Sequence, residues 1–128
     1  MNDPAHDAGM AARRAVLGDA YVDAAVAATT DLNADFQDFI TRYAWGEVWT
    51  RDALDRRTRS AITVALLAAL GQERELGLHI RAARTNGLTE AEIAEILLHT
   101  AVYAGVPAAN AAFAIAQRVL DEEPDTPG

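Results

Sequence analysis

Apolar positions along this chain recur at helical spacing, and no stretch sustains the period-two alternation of a half-buried strand. Alanine dominates and β-branched residues are scattered, so the pattern predicts an all-α fold of about six helices. Residues 9–18 predict a short first helix closed by Gly18, and Asp19 opens a second segment through Thr29. A third runs from about Asn33 to Trp45, where Phe36, Phe39, Ile40 and Tyr43 fall three and four apart, as one buried face requires. Gly46 to Asp55 reads as an exposed or pocket-lining connection. A long helix should then run from Asp55 to Leu70 and stop at Gly71. Its second half, Ala61 to Leu70, is apolar on all sides, which calls for cover from the middle of a bundle or from another subunit.

Glu73 to Thr85 forms the next predicted helix, with Asn86-Gly87 as its C-cap. Thr89 and Glu92 have the spacing of a capping box, opening a helix to Tyr103 or Ala104. Gly105-Val-Pro107 breaks the chain before a last helix that ends near Leu120. Residues 1–128 are expected to form a single domain, with frayed tails at 1–8 and 121–128.

Composition narrows the chemistry. Half of the residues are apolar, enough for a real core. There is no cysteine, which excludes disulfides, thiolate metal sites and thiol redox chemistry. There is no lysine either, which removes Schiff-base catalysis. A net charge of −8 argues against nucleic acid and against anionic membranes as partners. It leaves room for a small anionic substrate held by a local arginine cluster. No run is long enough to span a bilayer, and the N-terminus lacks the features of a secretory signal, so a cytoplasmic location is expected.

Two constellations could carry a reaction. Glu75 and His79 lie four apart on one predicted helix, so they share a face. A carboxylate beside an imidazole would fix its tautomer and raise its pKa, suiting it to relay a proton near neutral pH. The same spacing also fits an ordinary surface pair. The second constellation is Trp49 with Arg51, Arg56, Arg57 and Arg59, four arginines within nine residues at a helix entrance. Such a cluster can clamp carboxylates in bidentate fashion, or it can be a solvated basic face. Arg59 is the informative member, because it stands where the helix turns wholly apolar. Tyr103 closes a helix where its hydroxyl could line a pocket, and His99 precedes it by one turn. No histidine has the spacing of a zinc site, so no metal is expected.

Several blocks occur in a telling order. They are Asp7-Ala-Gly-Met-Ala-Ala-Arg-Arg-Ala-Val-Leu-Gly18, Asp35-Phe-Gln-Asp-Phe-Ile-Thr-Arg-Tyr-Ala-Trp-Gly46, Val48-Trp-Thr-Arg51 and Leu54-Asp-Arg-Arg-Thr-Arg-Ser60. Glu75-Leu-Gly-Leu-His-Ile-Arg-Ala-Ala83, Asn86-Gly87 and Tyr103-Ala-Gly-Val-Pro-Ala-Ala-Asn110 follow. From about Asp7 to Leu120 the chain resembles the carboxymuconolactone decarboxylase family, within the AhpD-like superfamily of helical bundles. AhpD-like peroxidases use a Cys-x-x-Cys and a following His; here Gln72 and Glu75 stand at the cysteine positions, so thiol peroxidase chemistry is impossible. The family's Trp-x-Arg-Pro-Gly-Leu block is altered to Asp52-Ala53 at Pro-Gly, and His99 replaces an expected glutamine.

The resemblance implies cofactor-free decarboxylation of 4-carboxymuconolactone to 3-oxoadipate enol-lactone, in the protocatechuate branch of the β-ketoadipate pathway. It also implies a homo-oligomer, with a hexamer as the suggested state. In that reading His79 and Glu75 form the acid–base pair, Arg59 and Arg51 hold carboxylates, Tyr103 donates to the lactone oxygen and Trp49 walls the pocket. Two alternatives stand beside it: a relative acting on another lactone or keto acid, and a non-catalytic oligomeric binding or stress protein.

Overall fold

Helix after helix follows from local signals, and among the described residues there is no strand. The structure is a computed structural model, and it describes residues 3–122. It comprises two compact units, Met1–Arg56 and Arg57–Gly128.

In the first unit, α1 (Pro4–Leu17) begins earlier than the sequence suggests. Asp3 caps it, its Oδ1 accepting from the amides of Ala5 at 3.1 Å and His6 at 3.3 Å, and Pro4 supplies a φ already suited to a first turn. Residues 4–8 are therefore helical rather than frayed. Gly18, at φ +92°, turns the chain from α1 directly into α2 (Asp19–Ala27). The expected single helix from Asn33 to Trp45 is instead two pieces, α3 (Ala34–Ile40) and a π-helix (Thr41–Val48). That π-helix occupies the first part of the stretch read as a connection.

The predicted buried face of this segment is also corrected. Phe36, Phe39 and Tyr43 are 58%, 51% and 55% exposed, and Phe39 stacks on Tyr43 at 5.4 Å. The buried side chains are Thr41 and Trp45. Phe36 and Phe39 precede the π-helix and lie on the outward face of α3; only beyond Thr41 does the change to π hydrogen bonding alter the projection. Where the amide bonds five residues back, as from Trp49 to Ala44 at 3.0 Å, the turn takes an extra residue, and later side chains rotate by about 100° from an α-helical projection.

The second unit follows its sequence pattern closely. It holds α4 (Arg56–Leu70), α5 (Glu73–Thr85), α6 (Glu90–Ala104) and α7 (Val106–Glu122). Among the described residues the chain thus has seven α-helices and one π-helix, close to the expected number of about six. The capping box at Thr89 and Glu92 is formed in both directions. Val64, Leu76, Ile80, Ile93, Leu97 and Val119 are sealed at the centre of one aliphatic core. α7 packs against α5 and α6. The last helix runs past Leu120 to Glu122, and the remainder of the predicted tail lies outside the described residues.

The apolar helix α4 is only half covered within the chain. Ser60, Val64 and Ala68 point inward, while Ile62, Leu66 and Leu70 are exposed. Its start is tied down by Arg57, which donates to the carbonyl of Gly87 at 3.4 Å and pairs with the Glu92 carboxylate. Asn86 Nδ2 donates to Ser60 Oγ at 2.8 Å. No described helix is long and apolar enough to cross a membrane.

Candidate active site

The amphipathic helix α5 sets the position of His79. Leu76, Ile80 and Ala83 form its inward stripe, and His79 falls at the edge of that stripe, largely buried. Burial disfavours the imidazolium and pushes the His79 pKa down from 6.5 to about 4. Glu75, one turn earlier, is exposed. The expectation that Glu75 raises the His79 pKa is therefore corrected: desolvation governs, and the ring is neutral at pH 7.

Arg59 is half-buried on α4, immediately before the buried Ser60, and its backbone carbonyl accepts from Thr63 Oγ1 at 2.8 Å. Of the four clustered arginines, Arg57 is occupied in the structural contacts to Gly87 and Glu92. Tyr103 stands at the end of α6, 82% exposed, with its ring 5.2 Å from that of His99. His99 borders an open, mostly apolar groove of about 610 Å³ between α4 and α6, lined also by Ala61, Ile62, Ala65, Ile96 and Val102. Within this unit, then, Tyr103 keeps company with His99, and the groove is apolar where a dicarboxylate would need cations.

In the first unit, Trp49 ends the π-helix, half-buried and stacked on Trp45 at 5.1 Å. Arg51 follows in an exposed turn, its amide bonded to the carbonyl of Val48 at 3.0 Å. Among the described residues no group of three or more His, Asp and Glu side chains is placed to hold a metal ion.

Sequence reasoning passed over Arg13. The residue is 5% exposed, its guanidinium donating to Gln37 Oε1 at 3.2 Å and Thr41 Oγ1 at 3.5 Å, and burial lowers its pKa. A signal was present: Gly9, Ala12, Arg13 and Val16 share one i, i+3, i+4 stripe of α1, so a charged residue sits on its inward face.

Comparison with known proteins adds the following. Residues 34–118 match the model of the Carboxymuconolactone decarboxylase family. The chain is 47% identical to a 4-carboxymuconolactone decarboxylase of Acinetobacter baylyi, over 95% of this chain and 92% of that protein. It is 41% identical to a nitrosuccinic acid decarboxylase of Metarhizium robertsii, over 97% of this chain and 90% of that one.

Proposed function

This chain belongs to the carboxymuconolactone decarboxylase family, and from that premise we propose that it decarboxylates 4-carboxymuconolactone to 3-oxoadipate enol-lactone without a cofactor. The observation that carries the reading is the 47% identity, over nearly the full length of both chains, to a protein of that activity. The family match spans residues 34–118 and so runs through both compact units, which supports their working as one functional domain.

The chemistry suits the side chains present. Loss of carbon dioxide sends an electron pair through the ring double bond onto the lactone carbonyl oxygen, so the substrate is its own electron sink. The protein has to hold two carboxylates, stabilise the oxyanion and deliver one proton to carbon. In this reading Arg59 and Arg51 supply guanidinium groups for the carboxylates, and Trp49 limits access of water. His79 delivers the proton. Its low pKa makes it neutral in the free protein, and the arrival of a dianion raises its proton affinity, so it gains its proton as substrate binds. Glu75, exposed one turn away, serves as the entry point for that proton from water. Tyr103 donates to the lactone oxygen. Since its ring is exposed in the single chain, this role requires cover from another copy.

The same open face supports a homo-oligomer. Ile62, Leu66 and Leu70 on α4 and Leu98 and Val102 on α6 are all exposed, more apolar surface than a lone helix face usually leaves to water. A cytoplasmic setting accords with an enzyme of aromatic-acid breakdown.

A second reading is favoured by the Metarhizium relative: a decarboxylase of a nitro-substituted diacid. The demands are parallel, since a nitro group beside the departing carboxylate can accept the electron pair. Ultraviolet-monitored turnover of freshly generated 4-carboxymuconolactone and of nitrosuccinate, with chelator and no added cofactor, separates the two. Carbon dioxide release from the lactone alone supports the first reading; release from nitrosuccinate alone replaces it. His79→Ala should lower kcat by about a hundredfold or more, and Arg59→Ala should act mainly on KM. Undiminished turnover by His79→Ala would refute the proton-donor role.

A further inference from the structure

Arg13 is a buried cation among neutral partners. It is 95% sequestered, and its hydrogen bonds go to a carboxamide and a hydroxyl, Gln37 Oε1 and Thr41 Oγ1, rather than to a carboxylate. A guanidinium placed so lowers stability relative to a neutral side chain of similar volume. Its reach must therefore serve something other than holding the fold.

What it reaches is the junction at which α3 becomes the π-helix. Gln37 and Thr41 are one turn apart, on either side of that change. The hydroxyl of Thr41 donates to the carbonyl of Gln37 at 2.8 Å while accepting from Arg13, so the three residues form one network. The amide of Thr41 is shared between the carbonyls of Gln37 and Asp38, where α3 ends. α1 also presses on the junction directly. A Cβ on Gly9 would lie 2.0 Å from the carbonyl oxygen of Thr41, and a Cβ on Gly46 would lie 2.6 Å from the carbonyl oxygen of Ala5. Two glycines, one on each helix, allow backbone to meet backbone at the first π turn.

We propose that Arg13 is a positioning residue: it holds the π-helix in its wide register and so directs Trp49, and Arg51 beyond it, toward the substrate. The proposal rests on the reading above that those two residues engage the substrate. Without the clamp, the segment can relax to α-helical hydrogen bonding. One residue of register then rotates the Trp45–Trp49 pair by about 100°, enough to take both rings off their present faces.

The molecule carries its own reporter, because Trp45 and Trp49 are its only two tryptophans, one inside this helix and the other its C-cap. The test compares Arg13→Met, Arg13→Lys and Thr41→Val by near-ultraviolet circular dichroism and by kcat and KM for the lactone. Arg13→Met should keep its far-ultraviolet helical signal, lose the coupled tryptophan signal and raise KM by about tenfold, with kcat changed less than twofold. Arg13→Lys, which keeps the charge and can reach one acceptor, should recover part of both. Thr41→Val should reproduce the loss in milder form.

An Arg13→Met protein with an intact tryptophan signal and unchanged KM overturns the proposal. If that variant does not fold, the same null result in Thr41→Val overturns it. Arg51→Ala and Trp49→Ala serve as controls on the underlying reading. Should both leave KM unchanged, the substrate assignment fails and the proposal with it, even where the tryptophan signal of Arg13→Met has moved.

Discussion

The two units solve the problem of making a core in opposite ways. The second buries aliphatic side chains from four helices, with Leu76, Ile80, Ile93 and Leu97 almost wholly sequestered. The first keeps its large aromatic residues Phe36, Phe39 and Tyr43 largely outside, and seals Ala12, Val16, Thr41, Trp45 and the charged Arg13 instead. One unit is held by side-chain volume, the other by close backbone approach. Side-chain packing gives way gradually as methyl groups are removed, whereas backbone contact fails as soon as one is added.

The sharpest way to break that contrast is to add a methyl group in the first unit. Gly9→Ala places a carbon 2.0 Å from a backbone oxygen that cannot step aside, and should cost about 3 kcal/mol or more by chemical denaturation. A cost below 1 kcal/mol would show that α1 and the π-helix are not in obligatory contact. Removal of volume should show the reverse preference. Ile80→Ala empties a fully buried site and should cost about 2–5 kcal/mol, while Phe39→Ala, a larger truncation, should cost less than about 1. Equal losses would mean that the aromatic face is covered in solution, as a subunit interface would cover it.

Acid offers a third comparison, confined to the second unit. The folded-state pKa of His79 is about 4 and lies below its ordinary 6.5, so between those values the unfolded chain binds a proton that the native state refuses. Stability contributed by the neutral buried ring is intact above pH 6.5 and falls as the pH drops toward 4. His79→Gln should remove this dependence, narrowing or reversing any stability gap to wild type by up to about 3 kcal/mol at the acid end. Parallel pH profiles for the two proteins would place His79 in water. The smallest effect belongs to Gly77→Ala on α5, where an added Cβ meets Val119 at 3.5 Å and Ile115 at 3.7 Å, ordinary contact distances. A gain of about 0.5–1 kcal/mol is expected, against the loss at Gly9.

The same contrast decides how much was legible in the residues. The second unit was nearly transparent. Apolar spacing located α5 and α6, Gly71, Gly87 and Gly105 marked the breaks, and Thr89 with Glu92 announced the capping box. The first unit misled because its periodicity was read as α-helical throughout. Phe36, Phe39 and Tyr43 do share a face, but hydrophobicity alone does not say which face is inward, and the π-helix begins between Phe39 and Tyr43. A buried arginine on α1 could have flagged it, since such a residue needs polar acceptors on the facing helix. At the site, position along the helix was readable for His79, but its protonation was not. Spacing to Glu75 suggested a raised pKa, while the three-dimensional burial that lowers it leaves no local mark. Arg57 likewise looked like one cation of a cluster until its partners, Gly87 and Glu92, came into view.

Those partners bear on the order of assembly. One oxygen of Glu92 accepts from the amide of Thr89, three residues away, while the other meets Arg57 across 35 residues of chain. The first contact closes a minimal loop and can form within a single helical turn; the second must wait for a long, entropically expensive closure. When α4 arrives, the carboxylate it has to find is already oriented by the cap. A single glutamate thereby links a contact that closes quickly to one that closes slowly, and ties the start of α4 to the start of α6.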